Sequence, residues 1–551
     1  QPLAVKGDPK LRFNWNTPIV TGIHNPDRIY AGSQFVHVSD DMGQTWRKIS
    51  GDLTTNDPTK TNTEKSGGLS VDNSGAENHC TIFTIAESPL NKEIIWAGTD
   101  DGNVQITKDG GKTWTNVTLN LKGLPKNTWC YHIEASVFNE GTAYAVFDGH
   151  SKNDYATYVY KTSDFGKTWT SIATADIDGF ARNIQEDYKN PNLLFLGTEK
   201  GLYITVDGGK NWSKFENNMP AVAIHYLDLH SKTNDLVMAT HGRGIIILDD
   251  VSPLRQITPE ILKKDVHFFE MKPFAIEEQS SFGGTASELE FVGPNPNTAA
   301  QIVYYLKKRH TFGKMEMEIQ DLNGHKIATL IPGKQKGINI VTWNFNTKNP
   351  KIATAKTLSY GGFTSPRVPE GTYKVVLTKG NDTYTQEFKV VNDPKSVISA
   401  AERKKQAETT KMLFDKNEEL AYMVYELDEM IALNKKIMEK DAKSAKSNGK
   451  IDSEFNSLKN TMVVTTGDMY VGAAEPQLRE KLSAIYATVA SQFDAPSPSQ
   501  IANIENIMDQ FNTAKSGFSD LKSKYKNKLV GQATKLQIPF ALKSFEDYLK
   551  D

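Results

Sequence analysis

At 551 residues the chain is longer than one ordinary hydrophobic core can organise, so several domains are expected. Its 64 Lys+Arg balance 66 Asp+Glu, and a formal charge of −2 gives no support to a nucleic-acid partner, because phosphate binding draws on clustered positive charge. No apolar run approaches the roughly 20 residues that span a bilayer, so no transmembrane segment is expected, and the opening "QPLAVKGDPK" lacks the apolar core of a signal peptide.

In chain order, the first recurrent feature is an octet. "SDDMGQTW" (39–46), "TKDGGKTW" (107–114), "TSDFGKTW" (162–169) and "TVDGGKNW" (205–212) align as Ser/Thr-x-Asp-x-Gly-x-Thr/Asn-Trp. The shared positions are Asp41, Gly43 and Trp46; Asp109, Gly111 and Trp114; Asp164, Gly166 and Trp169; and Asp207, Gly209 and Trp212. Asp in a tight turn accepts hydrogen bonds from nearby amides, and Gly tolerates positive φ. The Trp is expected to start the next strand and to pack between sheets. A catalytic motif is normally needed once, so four copies point to architecture.

Apolar strands precede each octet, as in "EIIWAGTD" and "GNVQITKD" or "LLFLGTEK" and "GLYITVD". One strand earlier stand "TIFTIAES", "YHIEASVF" and "ARNIQEDY". The unit is therefore four strands, A to D, with the octet at the C–D turn, the pattern of propeller blades. Five such units fall at about 11–50, 78–120, 129–173, 180–216 and 220–250, the fifth without an octet. Residues 51–77 read as a long polar surface loop. Cys80 and Cys130 lack metal-ligand spacing and are expected as two separate buried thiols, with a disulfide as the alternative.

The octets resemble the Asp-boxes of sialidases and sortilin-type sorting receptors. "RFNWNTPIV…NPDRIYAGSQFVHVSDDMGQTW", "GAENHCTIFTIAESPL…IIWAGTDDG" and "VMATHGRGIIILDD" resemble the C-terminal half of bacterial sortilin-like repeat proteins, of the vacuolar protein sorting receptor type. These are often labelled glycosyl hydrolases for their Asp-box (BNR) repeats. The resemblance covers roughly residues 10–255 and implies a larger propeller, with further blades N-terminal to those seen here. It implies a second chain, the N-terminal half of the same polypeptide, completing the ring. A closed five-blade propeller is the competing arrangement.

In an up-and-down blade the C–D and A–B turns share one end, and the B–C turns and D-to-A crossovers share the other. The four octet carboxylates are therefore expected as turn-formers, away from the B–C mouth. That mouth supplies Asp100, Asp101 and Glu199 as candidate acid–base carboxylates. His79, His241 and Arg243 are candidate ligand-facing residues, and Asp148 and His150 lie in the same set of loops. Sialidase chemistry would need an arginine cluster for the substrate carboxylate. Arg12, Arg28, Arg47, Arg182 and Arg243 share no repeat position. "DIDG" (176–179) lacks the later ligands of a calcium-binding hand, and no metal or cofactor is expected.

From "DVHFFEMKPFAI" onward, short strands with turns at "LNG" and "KGND" predict a β-sandwich. "NGHKIATL", "VTWNFNTK" and "VPEGTYKVVL" resemble the Ig-like domain of flagellar hook-capping proteins. After "VNDPKS" a three/four apolar spacing through Leu413, Leu420, Val424, Leu427 and Ile431 predicts a bundle of three or so helices, with Met412, Met423, Met430 and Met438 as core filler. The fold class expected is multidomain and mainly β: partial propeller over 1–255, Ig-like sandwich over 256–395 and helical bundle over 396–551.

The resemblance implies a non-catalytic protein of the cell surface or secreted space, holding a protein or peptide partner. A glycoside hydrolase acting on extracellular polysaccharide is the first alternative, and a structural subunit of a surface complex the second.

Overall fold

The computed structural model describes residues 2–4, 6–62, 76–278, 298–467 and 474–550; residues 63–75 of the expected surface loop lie outside them. Packing divides the chain into two compact units, Gln1–Leu262 and Lys263–Asp551.

The first unit consists of antiparallel sheets with strands in sequence order, the blades of a partial propeller. Blade 1 is β1 (Ile19–Thr21), β2 (Ile29–Gly32), β3 (Val36–Ser39) and β4 (Arg47–Lys48). Blade 2 is β5 (Ile82–Glu87), β6 (Ile95–Thr99), β7 (Val104–Thr107) and β8 (Thr115–Asn116). Blade 3 is β9 (Trp129–Ala135), β10 (Ala143–Asp148), β11 (Tyr158–Thr162) and β12 (Thr170–Ser171). Blade 4 is β13 (Ala181–Glu186), β14 (Leu194–Thr198), β15 (Gly201–Thr205) and β16 (Ser213–Lys214). Blade 5 has three strands, β17 (Ile224–His230), β18 (Asp235–Thr240) and β19 (Ile245–Leu248).

Inside each octet the chemistry is closed. The Ser/Thr hydroxyl donates to the Asp and accepts the Gly amide; in the second octet Thr107 Oγ1 lies 2.8 Å from Asp109 Oδ1 and 3.0 Å from Gly111 N. The carboxylate then accepts the amide and hydroxyl of Thr113 at 2.9 and 2.6 Å. The same set recurs at Asp41, Asp164 and Asp207, with Asn211 in the hydroxyl's place in the last. Bonds from the Thr45 and Thr113 side chains and amides hold Asp41 and Asp109 down at about 2.

The octet also joins blades. The Trp does not start strand D, as expected, but stands just before it, and its indole reaches back. Trp114 Nε1 donates to Ile49 O of blade 1 at 2.9 Å, and Trp212 Nε1 to Ile172 O of blade 3 at 2.8 Å. Buried Trp169 meets Trp96 of blade 2 edge to face, with ring centres 5.9 Å apart. The octet glycines admit this approach. At Gly111, Gly166 and Gly209, all with positive φ, a Cβ would meet Ile49 O at 2.6 Å, Val117 Cγ2 at 2.9 Å and Ile172 Cβ at 2.9 Å. Gly43 has no such neighbour, and Trp46 turns its N–H onto Gly43 O.

The apolar cores likewise lie between blades. Phe195, Leu202 and Ile204 of blade 4 pack with Ile224, Leu236 and Met238 of blade 5. Beyond blade 5 the pattern stops. Ile245 and Ile247 occupy the register of Leu202 and Ile204, yet are 70% and 55% exposed against 0% and 8%. In blade 1, Ile19 stands where blade 4 has fully buried Ile184, and is 75% exposed. Both outer faces are uncovered, so the five blades form an open arc.

In the second unit, β20 (Val266–Phe268), β22 (Ala300–Leu306) and β25 (Gly337–Trp343) form one sheet of a β-sandwich. The other has the order β21 (Phe274–Ile276), β27 (Asp382–Asn392), β26 (Gly371–Lys379), β23 (Met315–Gln320), β24 (Lys326–Leu330). Trp343, Tyr373 and Phe388 share its core. The helices number four long ones among the described residues, not three: Ala400–Lys440, Ala445–Met462, Leu478–Ser491 and Pro498–Lys535. Capping boxes at Ser399/Glu402 and Ser497/Gln500 start the first and last. The sandwich and these helices both lie in the second compact unit, which begins at Lys263. Met423 and Met430 are buried in the helical core.

Gly111→Ala, Gly166→Ala and Gly209→Ala should each destabilise the first unit by about 2–4 kcal/mol, combining left-handed strain with overpacking, whereas Gly43→Ala should cost only the backbone part, about 1–2 kcal/mol; urea unfolding of the four variants checks this. Asp41 and Asp109 are depressed in the folded state, so they contribute stability above about pH 4 that is lost as pH falls toward the folded value of about 2. Asp109→Asn should therefore flatten the loss of stability across that window, read by denaturation at stepped pH.

Candidate functional site

The two ends of the blades are distinguished by backbone bonds. Each octet turn is tied to the A–B turn of its own blade: Met42 N to Asp27 O, Gly110 N to Glu93 O, Phe165 N to Gly141 O and Gly208 N to Asn192 O, at 2.9–3.0 Å. Each B–C turn of blades 2, 4 and 5 is tied to the entry of its strand A: Asp100 N to Thr81 O, Glu199 N to Phe180 O and His241 N to Ala223 O, at 2.9–3.1 Å. The octet carboxylates therefore sit at the end opposite the B–C mouth.

At that mouth, strand A of blades 2 to 5 carries a register shift, which leaves Phe83, Tyr131, Arg182 and His225 without a partner on strand B. A bulge of this kind re-aims one side chain. The four meet in succession. Phe83 and Tyr131 have ring centres 5.1 Å apart, and the Arg182 guanidinium lies 4.8 Å from the Tyr131 ring. Burial and the Arg182 charge together lower the pKa of His225, and His225 stacks on His241 at 5.2 Å.

Arg182 is the hub. It donates to Asp148 at 2.8 Å, lies 3.7 Å from Glu199 and covers Phe180 at 4.7 Å. Its Nε has no hydrogen-bond partner among the described residues, although Arg182 is only 9% exposed. Asp148 also accepts from His150 Nδ1 at 2.7 Å, and that ring stacks flat on Phe180 at 4.9 Å. Tyr155 flanks Phe180 and is open to solvent. Trp129, 4.7 Å from Phe83, has an indole N–H without a partner among the described residues. The mouth thus combines aromatic faces, one strongly held guanidinium and histidines.

The other predicted residues are differently placed. Asp100 and Asp101 are not solvated loop acids but buried. Asp100 accepts the amide and hydroxyl of Thr81 at 2.8 and 2.6 Å, with His79 at 3.7 Å, and burial raises its pKa. Asp101 accepts the amide and hydroxyl of Thr55, both at 2.7 Å, and the Thr99 hydroxyl. The pair fastens the crossover from blade 1. No hydrogen bond or ion pair joins either to Glu199 among the described residues. Arg243 is exposed on its glycine turn. Cys80 and Cys130 are free and buried. Among the described residues, no group of three or more His, Cys, Asp or Glu is placed to hold a metal, and no helix is long and apolar enough to cross a membrane.

The Sortilin-Vps10 family, described as sortilin, neurotensin receptor 3, matches residues 157–252. Vacuolar protein sorting/targeting protein 10 of Leptosphaeria maculans is 31% identical over 80 residues, which are 14% of this chain and only 5% of that protein. The Niastella koreensis GH74 enzyme aligns with 14% identity and a TM-score of 0.30, over 70% of this chain and 57% of its own. YCF48 bound to D1 peptide aligns with 17% identity and a TM-score of 0.28, over 49% and 78%. The β-propeller domain of Myceliophteria thermophila Cps50 (Swd1) aligns with 14% identity and a TM-score of 0.29, over 43% and 67%. The first unit is similar to the sortilin-type β-propeller.

If Asp101 is a fastener, Asp101→Asn should lower the unfolding free energy of the first unit by about 1–3 kcal/mol, because the amide opposes donors with a donor. Equilibrium denaturation measures it.

Proposed function

We propose that this chain is a non-catalytic, extracytoplasmic binding and assembly protein, whose propeller mouth holds a protein or peptide partner. The observation that carries the reading is the succession Phe83, Tyr131, Arg182 and His225, one bulged residue from each of four adjacent blades. Aromatic and arginine side chains are the groups that dominate binding energy at protein interfaces. The likeness to sorting receptors supports the same assignment and the extracytoplasmic location. Acid–base glycoside hydrolysis draws no support from the carboxylates: Asp100 and Asp101 spend their oxygens on Thr81, Thr55 and Thr99.

Further blades, from the N-terminal half of the same polypeptide, cover the open faces of the arc. Ile19, Ile245 and Ile247 support this, since their counterparts in blade 4 are covered by neighbouring blades. The role of a structural subunit in a surface complex is compatible with the same faces.

Peptide-array screening followed by titration of the best binder tests the mouth. Arg182→Ala and Tyr131→Ala should each weaken binding about tenfold or more, and Asp109→Asn should leave it unchanged; equal affinity for all three variants would refute the assignment. Native mass measurement of material from its source tests the ring: a co-purifying fragment is expected, lost on Ile245→Glu with Ile247→Glu.

A further inference from the structure

The second unit contains a cleft of ≈ 990 Å³, at the upper end of the size usual for ligand pockets. It is independent of the propeller and of the reading given to it. One wall is β24, the last strand of its five-stranded sheet. The other is the start of the helix Ala400–Lys440, through Arg403, Ala407 and Phe414. Arg367 and Phe493 complete it.

Two features of this cleft point to one kind of occupant. The first is an open strand edge. β24 pairs only with β23, and among the described residues no other backbone hydrogen bond engages Ile327, Ala328 or Thr329. Edge strands are usually blunted by charge, proline or a covering element. Here Lys326 is the one charged residue of the strand, and the facing helix stands off across the cleft.

The second feature is two guanidiniums without carboxylate partners among the described residues. Arg367 donates to the carbonyls of Ser491 and Gln492 at 3.0 and 3.3 Å, and lies 3.9 Å from the Phe493 ring. Arg403 donates to Ile398 O. The lysines of the lining are already paired: Lys326 with Glu318 at 3.7 Å, Lys348 with Glu418 at 3.1 Å, Lys404 with Glu408 at 3.9 Å and Lys411 with Asp415 at 2.8 Å. Among the described residues of the lining, the ionic groups without an opposite charge are thus the two arginines and Glu370, which accepts from Asn392; the remaining N–H groups of the arginines suit a carboxylate.

We propose that this cleft is a strand-addition site: an extended segment of a partner protein, alternating apolar and acidic side chains, pairs its backbone with β24 and presents carboxylates to Arg367 and Arg403. Backbone pairing supplies affinity and the alternate side chains supply selectivity, as in other sheet-edge recognition. The apolar side chains of the segment lie against Ile327, Ala328 and Phe414, which line the cleft.

The test uses the full chain and a fluorescein-labelled nine-residue peptide of alternating Val and Glu, read by anisotropy. Saturable binding is expected. It should weaken about tenfold when the Glu residues become Lys, when alternate peptide amides are N-methylated, and in Arg403→Gln, while Arg403→Lys retains most of it. Thermal melts of both Arg403 variants separate loss of binding from loss of fold. No saturable binding, indifference to N-methylation, or equal affinity for the Lys peptide would each overturn the proposal.

Discussion

The fold depends on one joint, the insertion of the second, third and fourth octets against the strand-D exit of the preceding blade. A side chain at Gly111, Gly166 or Gly209 would strike that exit, so these positions must be glycine for space as well as for φ. The indole one turn later then clamps the same stretch of backbone. Because the cores lie between sheets, no blade owns a complete hydrophobic interior. This explains why the octet is repeated.

Buried carboxylates extend the same theme at the octet end. Glu87 and Glu186 each accept a tyrosine hydroxyl from the preceding blade, Tyr30 and Tyr144, at 2.8 and 2.9 Å. Each also accepts an amide of that blade's A–B turn. One end of the blades is thereby stitched shut by polar contacts. At the other end, with the bulged residues, Arg182 Nε and Trp129 Nε1 have no hydrogen-bond partner among the described residues, as is also true of the octet's Trp169 Nε1.

The blades were legible in the sequence because everything that defines a blade is local: alternation, a turn octet and a repeat. The roles of Asp100 and Asp101 were not legible, because their partners come from a crossover loop up to 46 residues away, at Thr55. The mouth was half legible. Asp148 and His150 were found as loop residues and Arg182 only as an arginine off the repeat. What joins them is a one-residue register shift in strand A, which no pattern of residue types announces. In the second unit the strands and cap signals were readable, but the sequence periodicity could not show that Asp441 would end one helix and let another follow within a turn.

The joints have a direction. Trp114 and Trp212 each grip backbone that precedes them in the chain, and the Trp169 ring meets Trp96 on the same principle. None of these clasps awaits a blade still to come. A ribosome delivering this arc amino end first could therefore lock each of the first three seams as soon as the later member emerges.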